Sequence, residues 1–296
     1  MTASLPALPT RTMAGIGHAL VGFSVFSIHD AAVKWLVASL PVWEILFFRS
    51  IVIVALTLIL AGGSGLREMV LGPNRKPLLV RSALILAAWL AFFTAARSLH
   101  FAELITIYFA APLFGLILSI VILKEHVGPW SWGATMVGFA GVVIASGPSG
   151  SMSLLPVLLT LLAAFLWGCT NVLIRLLARS TTTLTLMLAS NCLFIIVCGA
   201  SLPWTWVMPD AFSLGLMLSL GLVGGLGQYF LFEGYRLAPV STVAPLEYVS
   251  LIWAFAWGYV IWGDVPVAAV LVGAALILAS GLALIWSERG RGEPAR

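Results

Sequence analysis

Ten apolar runs, each long enough to cross a lipid bilayer as a helix, constrain this chain more than any other feature. A crossing helix needs about 20 largely apolar residues. Broken at proline, glycine and charged clusters, the sequence yields such runs at approximately 13–37, 42–62, 77–97, 102–123, 129–147, 153–178, 183–202, 211–236, 241–262 and 266–286. Only 9% of the 296 residues are charged and 61% are hydrophobic, against roughly 25% charged residues in soluble domains. That is too little polar side chain to clothe a water-soluble globule, so the sequence predicts an all-α integral membrane protein. The connections are short, which makes consecutive helices antiparallel. The net charge of +4 does not signal nucleic acid, because the basic residues sit in clusters between apolar runs and form no continuous face.

Those clusters set an orientation. Alternate gaps carry Arg11; Arg67, Arg75, Lys76 and Arg81; Lys124; Arg179; Arg236; and Arg289, Arg291 and Arg296, whereas the intervening gaps carry no lysine or arginine. Basic residues stay on the cytoplasmic side, so both termini are expected there, in a bacterial inner (cell) membrane. His29, Asp30 and Lys34 interrupt the first run, which therefore reads as a retained helix and not as a signal peptide. Tryptophans at run ends, such as Trp35, Trp130 and Trp204, suit the water–lipid boundary. Trp89, Trp167 and Trp253 fall near run centres, where they face either lipid or a cavity. Cys169, Cys192 and Cys198 have no metal-ligand spacing and read as packing residues.

Residues 13–147 laid over 153–286 reveal a repeat. Asp30 falls over Asn171, Lys34 over Arg175 and Phe26 over Trp167, and further on Arg97 over Arg236, Glu125 over Asp264 and Gly141 over Gly281, at a nearly constant offset. Each half holds five runs, an odd number, so the second half must enter the membrane upside down. The expected architecture is ten transmembrane helices as two inverted five-helix repeats, 1–148 and 149–296, around a central cavity. Inverted repeats recur in secondary transporters, with the substrate near the midplane between the halves.

The stretch AARSLHFAELITIYFAAPLFGLILSIVILKEHVGPWSWGATMVGFAGVVIAS resembles the first EamA-type repeat of the drug/metabolite transporter superfamily. APLEYVSLIWAFAWGYVIWGDVPVAAVLVGAALILASGL resembles the second repeat in one branch of it. The resemblance covers nearly the whole chain and implies a ten-helix carrier, with amino-acid exporters, including those for aromatic amino acids, as the branch to expect. One departure is that Pro112 and Pro245 do not superpose on the repeat offset, so the fourth and ninth helices should bend at different depths.

Ionisable side chains inside a membrane are costly unless paired or hydrated, and are functional candidates for that reason. Asp30 and Lys34, four residues apart on one helical face, join Glu44 and Arg49 as a candidate network that either ties helices or gates a path. Arg175, with Asn171 near it, is the counterpart for the opposite gate. Gln228 sits mid-run on a face with Gly221, Gly224, Gly225, Phe232 and Tyr235, which either packs tightly or lines the path. Tyr108 and Pro112 share a comparable face on the fourth run. Pro245 removes a backbone donor and frees carbonyls, with Glu247 and Tyr248 in the next turn. Glu247 suits a substrate ammonium or a coupling proton, but a structural pair with Arg236 is the preferred reading. The expected cavity residues are thus Trp89, Tyr108, Pro112, Trp167, Asn171, Gln228, Pro245 and Tyr248; the expected gating or ion-coupling residues are Asp30, Lys34, Glu44, Arg49, Arg175 and Glu247.

These features predict a secondary transporter that exports a small metabolite, foremost an amino acid, by alternating access, with protons as a candidate coupling ion. A multidrug or nucleobase exporter of the same fold is the alternative. A membrane-embedded enzyme would need a clustered nucleophile and base or a metal constellation, and the chain has no GxSxG or HExxH motif. A non-transporting scaffold would have little reason to keep Gln228, Asn171 and Asn191 at mid-membrane. No cofactor is indicated.

Overall fold

The computed structural model describes residues 11–99, 101–125, 127–146, 154–178 and 180–263, with parts of 268–283. The first half comprises α1 (Thr12–Leu36), α2 (Val42–Leu71), α3 (Arg75–Ala95), α4 (Phe101–Tyr108), α5 (Ala111–Leu118), a π turn over Ser119–Leu123, and α6 (Pro129–Ser146). The second comprises α7 (Leu154–Leu177), α8 (Thr183–Thr205), α9 (Ala211–Leu237), the one-turn α10 (Val240–Val243), a 3-10 turn over Ala244–Tyr248 and α11 (Val249–Trp262). Among the described residues no strand occurs. Lipid offers no partner for a bare amide, so each crossing segment must bond its own backbone as a helix. Among the described residues, seven segments are long and apolar enough to cross, the seventh running from Val240 to Trp262. The fourth crossing is broken into α4 and α5, the fifth is α6, and an apolar helix over Leu271–Ser280 marks the tenth.

The second helix outlasts its apolar run. Gly62 adopts φ 60° and kinks α2, which then continues to Leu71. A side chain at that φ would be strained, so glycine suits the bend. Arg67 accordingly lies on α2 and Arg81 inside α3, where a reading by gaps had placed both in a connection. The two proline-marked helices do break at different depths, the fourth at Phe109–Ala110 and the ninth through the 3-10 turn that contains Pro245.

The packing partners display the symmetry. The most extensive helix contacts pair α1 with α9, α3 with α7, and α2 with α8. Exchanging the halves turns α1 into α7 and α9 into α3, so the first two pairs are equivalents and the third is its own equivalent. Two related repeats give such exchangeable pairs, and the antiparallel course of α1 against α9, the first and third helices of their halves, marks the repeat as inverted.

The α1–α9 seam shows how the helices hold together where apolar burial gives no advantage over lipid. A Cβ on Gly15 would fall 2.6 Å from Ala238 Cβ; one on Gly22 would fall 2.8 Å from the Leu231 amide nitrogen. One on Gly234 would fall 3.0 Å from Ala19, and one on Gly227 3.1 Å from the Phe26 ring. Each step along α1 meets a step back along α9, so the contact is antiparallel and backbone-close along its length. The gains are dispersion and close approach, which small residues permit.

Polar ties then join like ends of the bundle. At the end where α1 starts, here the basic end, Arg11 N donates to Leu237 O (3.1 Å), Asn74 Nδ2 to Ser180 Oγ (2.6 Å), and Thr185 Oγ1 to Glu68 (2.5 Å). At the opposite end Arg97 donates to Leu40 O (3.0 Å), and Val207 N to Glu44 (3.2 Å).

Candidate functional site

Between the halves lies a cavity with about 640 Å³ of atom-free space, counting its mouth. Its walls come from α1 (Phe23, Phe26, Asp30), α3 (Ala88, Trp89, Phe92, Phe93), the fourth crossing (Ile105, Tyr108, Phe109), Trp167, Leu231, Glu247 and Ser250. The aromatic side chains are stacked edge to face: Phe26 to Trp89 at 6.1 Å between centroids, Trp89 to Phe93 at 5.6 Å, and Phe92 to Tyr108 at 4.8 Å. Ring faces offered to a ligand in this way attract flat rings and cations.

Two carboxylates interrupt the aromatic wall at different depths. Asp30 is six residues from the end of α1, and its side chain is 35% exposed. One of its oxygens accepts from His29 Nδ1 at 3.0 Å. Glu247 lies deeper, in the 3-10 turn, 4% exposed, with Oε2 lacking a hydrogen-bond partner. The indole of Trp167 faces this carboxylate without closing a bond of ordinary geometry, and its Nε1 is likewise unpartnered. A buried carboxylate oxygen and an indole N–H left open toward a cavity are groups that a substrate can complete.

The structure gathers some of the sequence-expected cavity residues here and disperses others. Trp89, Tyr108 and Trp167 line the space, whereas Trp253 lies outside it and donates to Ser24 Oγ at 2.9 Å. Asn171 instead donates to Tyr235 Oη at 2.9 Å, and Gln228 accepts from Asn191 at 3.0 Å, so these mid-membrane amides bind helix to helix. Pro112 lies in the first turn of α5 and Pro245 in the 3-10 turn, both buried outside the wall of the cavity. Tyr248 is turned away: its hydroxyl donates to Thr135 O at 3.2 Å and its ring packs on Phe109. The glycine face of α9 packs and does not line the path. A Cβ on Gly221 would strike Val52 of α2, and one on Gly224 would meet Arg49 and His29.

The charged residues separate in the same way. Among the described residues no ion pair joins Asp30, Lys34, Glu44 and Arg49 into one network, although the charges of Asp30 and Arg49 act on each other. Glu44 accepts from Val207 N, Lys34 sits 5.9 Å over the Trp262 ring, and Arg49 lies fully buried with its guanidinium 4.2 Å over Trp89. The expected pair of Glu247 with Arg236 is absent, because Arg236 reaches Glu233 one turn back on α9, at 3.1 Å. Glu247 is thereby left facing the cavity. At the basic end Arg175 donates to Arg236 O (2.6 Å) and approaches Glu125 (3.9 Å). Glu125 also accepts from the amides of Val240 (3.4 Å) and Ser241 (3.3 Å), which start α10. Glu233 accepts from Thr183. Cys169, Cys192 and Cys198 are free thiols, and no metal-holding cluster occurs among the described residues. His100 and His126 lie outside the described residues; His18 bonds Ala14 O within its helix.

Sequence reading missed the phenylalanines of the wall, Arg81 and the tie made by Glu125. The phenylalanines left a signal: Phe23 with Phe26, and Trp89 with Phe92 and Phe93, recur at helical spacing. In a chain this apolar, that spacing is shared by lipid-facing positions.

The EamA-like transporter family model matches the chain twice, over residues 13–147 and 154–286. An S-adenosylmethionine uptake transporter of Rickettsia prowazekii is 27% identical over 93% of each chain. A pseudopaline exporter of Pseudomonas aeruginosa is 27% identical over 93% of this chain and 97% of its own. A riboflavin transporter of Rhizobium johnstonii is 31% identical over 72% of this chain and 70% of its own. A crystal structure 19% identical in sequence superposes with a TM-score of 0.76, over 95% of this chain and 98% of that one, a likeness of fold. With its two matched repeats, its crossed helix pairs and its cavity between the halves, the chain is a multi-pass transporter and not an enzyme, and it belongs to the EamA-like transporter family.

Proposed function

We propose that this protein is a secondary carrier that moves a small metabolite through the central cavity by alternating access, the metabolite combining a cationic group with a flat or apolar part. The observation that carries this reading is the pair of carboxylates, Asp30 and Glu247, set in a wall of ring faces. A cation between a carboxylate and aromatic faces is held both by charge and by the ring quadrupole. Amino acids, aromatic ones above all, are the simplest molecules of this kind, and S-adenosylmethionine, with a sulfonium, an ammonium and a purine, is a larger one. The relatives are named for uptake in one case and export in another, so direction rests on this chain's own energetics; export is the direction we propose. The arginine- and lysine-rich end is assigned to the cytoplasm of a bacterial cell by the positive-inside rule, and Asp30 or Glu247 is the group through which protons would couple.

A second reading has its own support. The cavity wall is mainly hydrocarbon and ring, and a riboflavin transporter is among the relatives, which favours a neutral flat ring such as a nucleobase or flavin. Counterflow in proteoliposomes separates the two. Vesicles are loaded in turn with aromatic amino acids, S-adenosylmethionine, riboflavin, a nucleobase and a cationic dye, without an imposed gradient. Exchange of the amino-bearing compounds, weakened in Glu247→Gln, supports the first reading. Exchange of riboflavin or nucleobase alone, unchanged in Glu247→Gln, overturns it in favour of the second.

A further inference from the structure

Two arginines of the first half are buried in the bundle behind the cavity wall, in seams that exchange of the halves relates: Arg49 between α2 and α9, Arg81 between α3 and α8. Arg49 lies on α2, seven residues from the opposite end, about 10 Å at 1.5 Å per residue. Arg81 lies on α3, six residues from the basic end, about 9 Å. Both are shut off from solvent, at 1% and 0% exposure. Each guanidinium lies 4.2 Å over an aromatic ring, Arg49 over Trp89 of α3 and Arg81 over Phe232 of α9. Exchange of the halves relates α3 to α9, so the two arginines stack on equivalent helices. Each has Nε and one terminal nitrogen without a hydrogen-bond partner. A buried guanidinium is expensive unless its donors are satisfied, so the fold keeps two costly groups, one toward each face.

The two differ in one respect. Arg81 Nη1 donates to Leu186 O (3.3 Å) and to Ser190 Oγ (2.5 Å), both on α8, and so bonds the first half to the second. Arg49 makes no hydrogen bond to a described residue across the equivalent seam between α2 and α9. Gly221 and Gly224 leave the α9 backbone open beside it, and a Cβ on Gly224 would fall 2.8 Å from Arg49 Nε. The ends of the bundle differ in the same sense. The basic end is knit between halves by Glu125, Arg175, Asn74 and Glu68, whereas at the opposite end Asp30 is partly exposed at the mouth of the cavity.

We infer that Arg49 and Arg81 are a pair of latches in the two seams that exchange of the halves relates, α2–α9 and α3–α8, positioning residues that each seal the seam between the halves at one face when that face is closed. Arg81 is engaged in the conformation described here, with the basic end shut. When the opposite end shuts, Arg49 takes up acceptors on α9 and Arg81 gives up those on α8. The unpartnered nitrogens are the donors held in reserve for that exchange. This inference rests on the alternating-access reading above and concerns the balance between its two states, not the substrate.

The test reads that balance directly. In a background carrying Cys169→Ala, Cys192→Ala and Cys198→Ala, Ser250→Cys places one thiol on the cavity wall. The thiol is labelled with a membrane-impermeant maleimide from each side of oriented vesicles, and the ratio of the two rates is the readout. Arg81→Gln is expected to shift the ratio toward the basic side and Arg49→Gln toward the opposite side, each by about fivefold or more, the lower range of coupling between two protein states. The lysine variants keep the charge without the planar fork and should shift the ratio in the same senses by less; they carry the test if a glutamine variant fails to reach the membrane. A residue needed only for packing lowers thermal stability without opposed shifts, so shifts in one common sense, or none, overturn the latch pair. Counterflow by the unsubstituted protein runs alongside. Its absence with every compound of the panel defeats the carrier reading itself, whereas intact counterflow with unopposed shifts defeats only the latches.

Discussion

Among the described residues, the two ends of the bundle, built from the same repeat, are tied between the halves by different contacts. At the basic end, Glu125 binds two amides of α10 and faces Arg175, Arg175 holds the carbonyl of Arg236, and Asn74 and Glu68 reach α8 and the loop before it. At the opposite end, among the described residues, the Val207 amide bonds Glu44, Lys34 lies over the Trp262 ring, and Asp30 is about one-third exposed. The residues of the basic-end seal have counterparts by sequence offset, Asp264 for Glu125, Lys34 for Arg175 and Arg97 for Arg236, so inverted symmetry provides two equivalent seams, and the conformation decides which one is sealed.

The largest expected effect concerns the depth of the two carboxylates between those ends. Glu247 is nearly inaccessible and Asp30 is about one-third exposed. Removing one partner from a buried charge pair costs about 2–5 kcal/mol, so Glu247→Gln should weaken exchange of a cationic substrate by about thirtyfold or more, since 1.4 kcal/mol is tenfold. Asp30→Asn, screened by water at the mouth, should cost about tenfold or less. Substrate concentration series in counterflow measure both. A reversal of that order would place the binding cation at the mouth and leave Glu247 as an internal tie.

Next in size is the seal itself. Glu125→Gln replaces a charged acceptor shared by two backbone amides and a guanidinium. Hydrogen bonds to charged groups are worth about 1.5–3 kcal/mol, so the detergent-solubilised protein should melt several degrees lower, and the thiol of Ser250→Cys should become more reactive from the basic side. An unchanged labelling ratio would mean that the basic end is closed by helix packing alone. The packing can be challenged separately. Gly22→Ala drives a Cβ to 2.8 Å from the Leu231 amide nitrogen, a backbone atom that cannot swing away, whereas Gly133→Ala meets nothing within 4 Å. Overpacking costs about 1–3 kcal/mol, so thermal melting should separate the two substitutions clearly. Equal melting temperatures would show that the α1–α9 seam has slack that the distances do not reveal.

The architecture was legible in the sequence, because its cause is local. Apolar run length, helix punctuation and the five-plus-five count follow from what lipid permits, and the antiparallel course of α1 and α9 follows from inverting the second half; which helices pair came from the structure. The site was legible only where a residue type is costly in a membrane irrespective of its neighbours. Asp30 and Glu247 stood out for that reason and reach the cavity, as do Trp89 and Trp167, which were marked only by their position near run centres. Gln228 and Asn171 stood out equally, but their amides were satisfied by Asn191 and Tyr235 from other helices, and no sequence offset reveals which amide has such a partner. Glu247 was read as a mate for Arg236 because both lie toward the basic end; a glutamate three residues before Arg236 took that role. Arg81 was counted as a loop charge because six residues from a helix start is within boundary error, and only the packing of α8 and α9 around it reveals that it is buried.

The smallest prediction tests the weaker end. Glu44 is buried, accepts from Val207 N through Oε2, and has Oε1 without a partner. In Glu44→Gln the amide oxygen can keep the bond from Val207, while the amide NH₂ takes the place of an acceptor that nothing was using. One charge-assisted bond becomes a neutral one, and the cost of burying a charge is removed at the same time. These changes oppose each other, so melting temperature should move by no more than the equivalent of about 1 kcal/mol, and the labelling ratio of the Ser250→Cys thiol should stay within error. The contrast with Glu125→Gln is the informative quantity. If Glu44→Gln destabilises as strongly as Glu125→Gln, the opposite end is charge-sealed too, and the asymmetry between the ends must then come from the arginine pair and not from the carboxylates that flank it.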